Sequence, residues 1–177
     1  MAIQAFRGIT NPVFTTSPTA LVATSEEALI PTLYTGIAAT ESYAGKVWKL
    51  TAGGIMSWAA TGTLTLTPRL GLVIGGITMG VSVIALTTPG ATTNHSWFLE
   101  ALLTCRTLGL AGANSTFILN GMFWSSGIGT LGTGTTQSFG GTVATADATI
   151  ATGLWIGKTL TVAGSMQCQQ SVFESLN

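Results

Sequence analysis

Trp97-Phe98-Leu99-Glu100-Ala101-Leu102-Leu103-Thr104-Cys105-Arg106 separates, at a period of two, into two different surfaces. Trp97, Leu99, Ala101, Leu103 and Cys105 make a wholly apolar row, and Phe98, Glu100, Leu102, Thr104 and Arg106 make a mixed one. Successive side chains of a strand point to opposite faces, so the segment predicts a strand over His95–Arg106 backed onto a core. Its mixed row, carrying Glu100 and Arg106, belongs to solvent or to an interface.

The same alternation extends in both directions. After a turn over Gly109–Asn114, Ser115–Trp124 reads as the partner strand, rich in Phe117, Ile118, Leu119, Met122, Phe123 and Trp124. Upstream, Lys46–Trp58 puts Trp48, Leu50, Ala52, Gly54, Met56 and Trp58 on one face. Thr63-Leu64-Thr65-Leu66-Thr67 is the cleanest period-two stretch, and its continuation to Leu70 past Pro68 predicts an edge strand or a bulge. Glu27–Tyr34, broken by Pro31, reads as a short edge strand. Gln137–Thr145, Ala151–Val162 and Gly164–Leu176 complete the series. About eight or nine short strands with no helical period predict an all-β fold: a single antiparallel β-sandwich, jelly-roll-like, with another Greek-key order as the alternative. One domain is expected over residues 26–177, without internal repeats.

Only 7% of the residues are charged, with six basic and six acidic side chains and a formal net charge of zero. An average soluble domain has about 25%. Arg7, Lys46, Lys49, Arg69, Arg106 and Lys158 are scattered, so no basic footprint for nucleic acid exists. About one residue in six is Thr, which suits a pleated, half-buried surface. With a mean hydropathy of +0.54, the surface must carry apolar and hydroxyl groups where charges usually stand. Large apolar patches mark contact surfaces, so self-association is the expectation.

Chemistry is sparsely supplied. His95 is the only histidine and Asp147 the only aspartate. His95 and Glu100 fall on opposite faces of one strand and lack a third ligand, so no metal site is expected. Glu26-Glu27 diverge as neighbours on a strand or arm and read as solvated. Gly127-Ile-Gly129-Thr-Leu-Gly132 matches a dinucleotide fingerprint in spacing, but Thr and Gly follow it where a helix should open. No cofactor and no enzymatic activity are expected. Met1–Arg7 lacks the pattern of a secretory signal. Cys105 and Cys168 therefore read as buried thiols from a reducing compartment, with a bridge between neighbouring strands as the alternative. Asn94-His-Ser96 and Asn114-Ser-Thr116 match the glycosylation pattern only by chance.

Leu70–Leu86 is a 17-residue stretch without a charge, at the lower edge of about 17–25 residues for a membrane span. Its β-branched residues cluster around Gly75-Gly76 and Gly80, and positive flanks are absent, so strand–turn–strand is expected and a membrane partner is not. Residues 1–25 look irregular, with Asn11-Pro12 and Ser17-Pro18 disfavouring helix. They read either as a disordered tail or as an extended arm anchored on a neighbour by Phe6, Ile9, Val13 and Phe14. Of the five tryptophans, Trp48 and Trp97 lie on core rows. Trp58, Trp124 and Trp155 stand near strand ends, in either core or interface positions, and are the candidates for an oligomer interface.

Four stretches in combination suggest a family: Lys46-Val-Trp-Lys-Leu-Thr-Ala-Gly-Gly54, Leu64-Thr-Leu-Thr-Pro-Arg-Leu-Gly71, Trp97–Gly109 and the terminal Gln169–Asn177. Over roughly residues 30–177 the chain resembles small β-rich virion proteins of tailed bacteriophages, of the minor structural, head-decoration or fibre kind. That resemblance implies a jelly-roll-like subunit, commonly a homotrimer, made in the host cytoplasm and attached to the virion exterior through the major capsid protein or another virion protein. A capsid decoration or cement role is the first expectation and a glycan-binding fibre module the second.

Overall fold

The computed structural model describes residues 9–11, 26–30, 35–39, 41–71, 77–79, 84–88, 90–109, 115–126, 135–148 and 151–177. Twelve strands run through them: β1 (Ile9–Asn11), β2 (Glu27–Ile30), β3 (Gly36–Ile37), β4 (Val47–Trp58), β5 (Gly62–Leu70), β6 (Ile77–Thr78), β7 (Ile84–Thr88), β8 (Thr92–Thr107), β9 (Ser115–Ser125), β10 (Thr135–Ala146), β11 (Thr152–Leu160) and β12 (Gly164–Ser175). They form two antiparallel sheets packed face to face. The large sheet has the order β1-β12-β4-β8-β9-β10. The small sheet has the order β2-β11-β5-β6, with β3 also on β11 and β7 also on β5. The fold is an all-β sandwich.

Two corners explain how one sheet becomes the other. β4 passes into β5, and β11 into β12, each through three residues, and the corners are bonded to one another. The Ala59 N–H donates to the Ala163 carbonyl at 2.8 Å, and the Thr161 N–H to the Thr63 carbonyl at 3.1 Å. The β4/β12 ribbon of the large sheet therefore continues as the β5/β11 ribbon of the small one. Beside this folded ribbon, β8, β9 and β10 form a plain meander.

The core lies between the inward rows. Leu50, Met56, Leu99, Leu103, Phe117 and Phe123 meet Leu64, Leu66, Leu154 and Ile156, all essentially inaccessible. Trp97 sits across from Gly54 on the β4–β8 ladder. Its indole N–H donates to the carbonyls of Gln167 at 3.0 Å and Ile55 at 3.3 Å. Those carbonyls become available where the β12–β4 register shifts between Cys168 and Gln170. A Cβ at Gly54 would collide with the Gln167 carbonyl, so this irregularity requires glycine.

Several expectations change. β5 is internal, not an edge, with β11 on one side and β6 and β7 on the other. The Pro68 carbonyl accepts from the Met79 N–H at 2.9 Å on the β6/β7 side, so its missing N–H faces the same way. Proline cannot return that bond to the Met79 carbonyl, and the loss falls just past the end of the two-residue β6, beyond the Arg69–Thr78 pair. Of the expected strand–turn–strand over Leu70–Leu86, residues 72–76 and 80–83 lie outside the described residues. On either side of Gly75-Gly76, Leu70 pairs with Ile77 and Arg69 with Thr78, and β7 pairs further along the same side of β5. Among the described residues no helix is long and apolar enough to cross a membrane. Residues 9–11 of the predicted irregular arm form β1 on β12 of the same chain, with Ile9 opposite Phe173. The other arm anchors, Phe6, Val13 and Phe14, lie outside the described residues. Cys105 and Cys168 are both free and buried, and burial pushes the Cys168 thiol up to about 11.

Candidate interaction face

The outer face of the large sheet is built from the mixed rows of β8 and β9. Phe98 lies opposite Trp124, Glu100 opposite Met122, Leu102 opposite Asn120 and Thr104 opposite Ile118. Four of these side chains form an exposed apolar patch: Met122 at 54%, Phe98 at 40%, Trp124 at 39% and Leu102 at 37%. Strand alternation forces this arrangement, because Trp97, Leu99 and Leu103 occupy the opposite row and are buried. Adjacent β10 adds the exposed Thr136 and Ser138, opposite Trp124 and Met122.

One ion pair crosses the patch. Lys49 Nζ stands 2.7 Å from Glu100 Oε2, with both side chains partly in solvent. That hydrogen bond, together with the charges of Glu100 and Glu174, holds the Lys49 ammonium above its ordinary pKa against the opposing effect of desolvation. The face is therefore apolar at its centre, hydroxyl-bearing toward β10 and self-neutralised in charge. Such a surface suits broad protein contact. Among the described residues no three potential metal ligands come together.

The three interface tryptophans separate. Trp124 is on this face. Trp58 and Trp155 are 3% and 1% exposed and so are not available to a partner. Trp58 closes the inward row of β4 and stacks on His95, with ring centroids 6.1 Å apart. Trp155 is on the outward row of β11, opposite Arg69 on β5. The Arg69 guanidinium lies 5.7 Å above the indole ring. Glu26 fixes that guanidinium through bonds of 2.5 to 3.0 Å, and Thr78 through one of 2.6 Å. Glu26 is thus an ion-pair partner and not the free solvated carboxylate expected, because its side chain lies over Gly157, where a Cβ would displace it.

Two further features were not anticipated. Lys158 sits on the inward row of β11 between Ile156 and Leu160, opposite Leu66. Its ammonium donates to the Met166 carbonyl at 2.6 Å, and burial pushes its pKa down. Asn177 bonds to both backbone groups of the turn before β4, through Val47 N–H and the Gly45 carbonyl at 2.8 Å each. Only the apolar row of β8 and the place of Phe98 and Leu102 on its mixed row could have been anticipated from alternation. The partners of Lys158, Glu26 and Asn177 come from distant segments. No family model, curated protein or solved structure matches this chain.

Proposed function

We propose that this chain is a non-enzymatic structural subunit that assembles with copies of itself and with a larger shell, most specifically a capsid decoration or cement subunit of a virion. The observation that carries the assembly role is the cluster of Phe98, Leu102, Met122 and Trp124 on one side of one sheet. Isolated exposed apolar residues are ordinary on protein surfaces, but four adjoining ones on two paired strands make a contact patch. The neutral charge balance supports close packing of copies, since neither self-repulsion nor a charged partner is built in. The virion setting rests on the sequence resemblance to phage decoration and fibre proteins.

The test compares wild type with the double variant Met122→Ser, Trp124→Ser. Light scattering at micromolar concentration should find wild type associated and the variant at a lower mass, with circular dichroism unchanged. A wild type that is monomeric, and that also fails to sediment with undecorated capsids, would overturn the assembly reading. Phe98 and Trp124 as adjacent exposed aromatics favour a second reading, stacking on a glycan. Oligosaccharide binding lost in Trp124→Ser would transfer the function to that reading.

A further inference from the structure

Among the described residues the sandwich has four lateral edges, and three of them end in short strands. On the small sheet, one side of β11 carries only β2 and β3, of four and two residues. The far side of β5 carries only β6 and β7, of two and five. On the large sheet, the β12 side ends in the three-residue β1. Short, interrupted edges are a common way to prevent strand-to-strand association. The fourth edge is β10, which is twelve residues long. Thr135–Ala146 contains no charged residue and no proline, two other usual safeguards, and its one register irregularity lies near its end, between Val143 and Ala146. β10 comes close to β6 and β7 but, among the described residues, pairs only with β9.

The hydrogen-bonding direction of this edge follows from the ladder. The Cys105 N–H donates to the Lys46 carbonyl, and the Cys105 carbonyl accepts from the Gly45 N–H, so odd residues of β8 face β4. The Ser126 N–H donates to the Ser96 carbonyl, so even residues of β8 face β9. The registers are unbroken from Trp97 to Cys105 and from Thr135 to Val143. Backbone direction alternates residue by residue along an antiparallel strand. Carried across β9, this makes Thr135, Gln137, Phe139 and Gly141 bond to β9. Thr136, Ser138, Gly140 and Thr142 then present their N–H and C=O groups to the open edge.

We infer that the β10 edge pairs, antiparallel, with β10 of a second copy of this chain. This rests on the self-assembly reading above and gives it a geometry. The occupant is a second copy because an uncharged strand set antiparallel against itself is complementary by symmetry, each copy offering the same donors and acceptors. The pairing would join two large sheets into one twelve-stranded sheet. It would also place the two Phe98–Met122–Trp124 patches on one continuous outer face, with the hydroxyl rows of Thr136 and Ser138 between them. A twofold contact of this kind builds a dimer, and so departs from the trimer that the phage resemblance implies.

The test is amide hydrogen exchange on the full chain, above and below its association concentration, together with Ser138→Pro. Proline at 138 removes an edge-facing N–H and no bond to β9, so the subunit fold should persist. In the associated wild type, the amides of Thr136, Ser138, Gly140 and Thr142 should exchange more slowly by an order of magnitude or more than on dilution. Ser138→Pro should lose the twofold step of association, halving the mass of the associated species. An associated wild type whose four even amides exchange freely would overturn the pairing and leave self-association standing. A wild type that stays monomeric, with those amides free, would overturn both, and pairing with a strand of another protein would appear in the same way. Should Ser138→Pro not fold, the wild-type exchange pattern decides alone.

Discussion

Trp124 and Trp155 are the same residue type on the outward row of a strand, one on each sheet, and they meet opposite fates. Trp155 is covered by Arg69, whose guanidinium is fixed in turn by Glu26 and Thr78. Trp124 faces Phe98 across the ladder and stays open, beside Met122. An outward aromatic therefore becomes a contact residue or a covered one according to whether a neighbouring long side chain is held over it. Arg69 can cover Trp155 because it is its cross-strand partner and because Glu26 fixes its direction. On the large sheet a cation of the same face, Lys49, is drawn to Glu100.

The contrast between inward and outward rows of one strand sets the upper scale. Leu99→Ala should destabilise the subunit by about 2–5 kcal/mol, because a wholly buried side chain leaves a cavity that its neighbours fill only partly. Trp97→Ala should cost about as much, with its two carbonyl bonds lost as well. Leu102→Ala, on the exposed row, should stay within about 0.5 kcal/mol. Denaturant midpoints of the three variants measure this. Equal losses at 99 and 102 would mean that the two rows do not differ as described.

Uncovering Trp155 is the next largest effect. Arg69→Ala removes a partly buried ion pair, the bond to Thr78 and a cation over an indole ring. A loss of about 1–3 kcal/mol is expected from the last two contributions and the stranded Glu26. Arg69→Lys should recover only part of it, since an ammonium cannot reproduce the fork held by Glu26. The corresponding change on the other sheet, Trp124→Ser, should leave the melting temperature of the free subunit unchanged. A smaller effect is expected at the chain's last residue. Asn177→Ala deletes two bonds that close the turn before β4, and a loss of about 1 kcal/mol should follow in the thermal midpoint.

The inward rows of β4, β8 and β9 were legible because burial on one side imposes a period of two on the side chains. Leu64 and Leu66 of β5 were legible for the same reason. What could not be read depends on backbone atoms that every residue shares. β1 and β3 are too short to show a period, and their pairing with β12 and β11 involves ladder groups alone. Pro68 pointed to an edge or a bulge, but a position just past the end of a two-residue strand accommodates a missing donor as well. β10 is longer than the expected Gln137–Thr145, since Thr135 and Thr136 extend its pairing along β9. The contact face was half legible. Phe98 and Leu102 were on the mixed row, but the covered state of Trp155, which sets it apart from Trp124, depends on Glu26 meeting Arg69 across 43 positions of chain.

The smallest effect is expected at the second ion pair, and it is the sharpest form of the comparison. Glu26–Arg69 and Lys49–Glu100 each lie on an outward row, one per sheet, and both have charged nitrogen and oxygen in close contact. Their surroundings differ: the side chains of the first pair are 21% and 19% exposed, those of the second 29% and 43%. Solvent and salt screen an exposed pair, and holding two long side chains in one geometry costs entropy that offsets the attraction. Lys49→Gln should therefore leave the thermal midpoint of the free subunit unchanged at low and high salt, while Arg69→Ala lowers it at both. The sign with pH is fixed by the raised Lys49 pKa. Whatever stability the pair contributes is present below the unfolded lysine value of 10.5 and is lost as pH rises through the higher folded value. Between pH 6 and about 9 the wild type and Lys49→Gln curves should then run parallel. A midpoint for Lys49→Gln that drops in this range, and recovers in high salt, would show that the outer face of the large sheet is held by charge as the small sheet is.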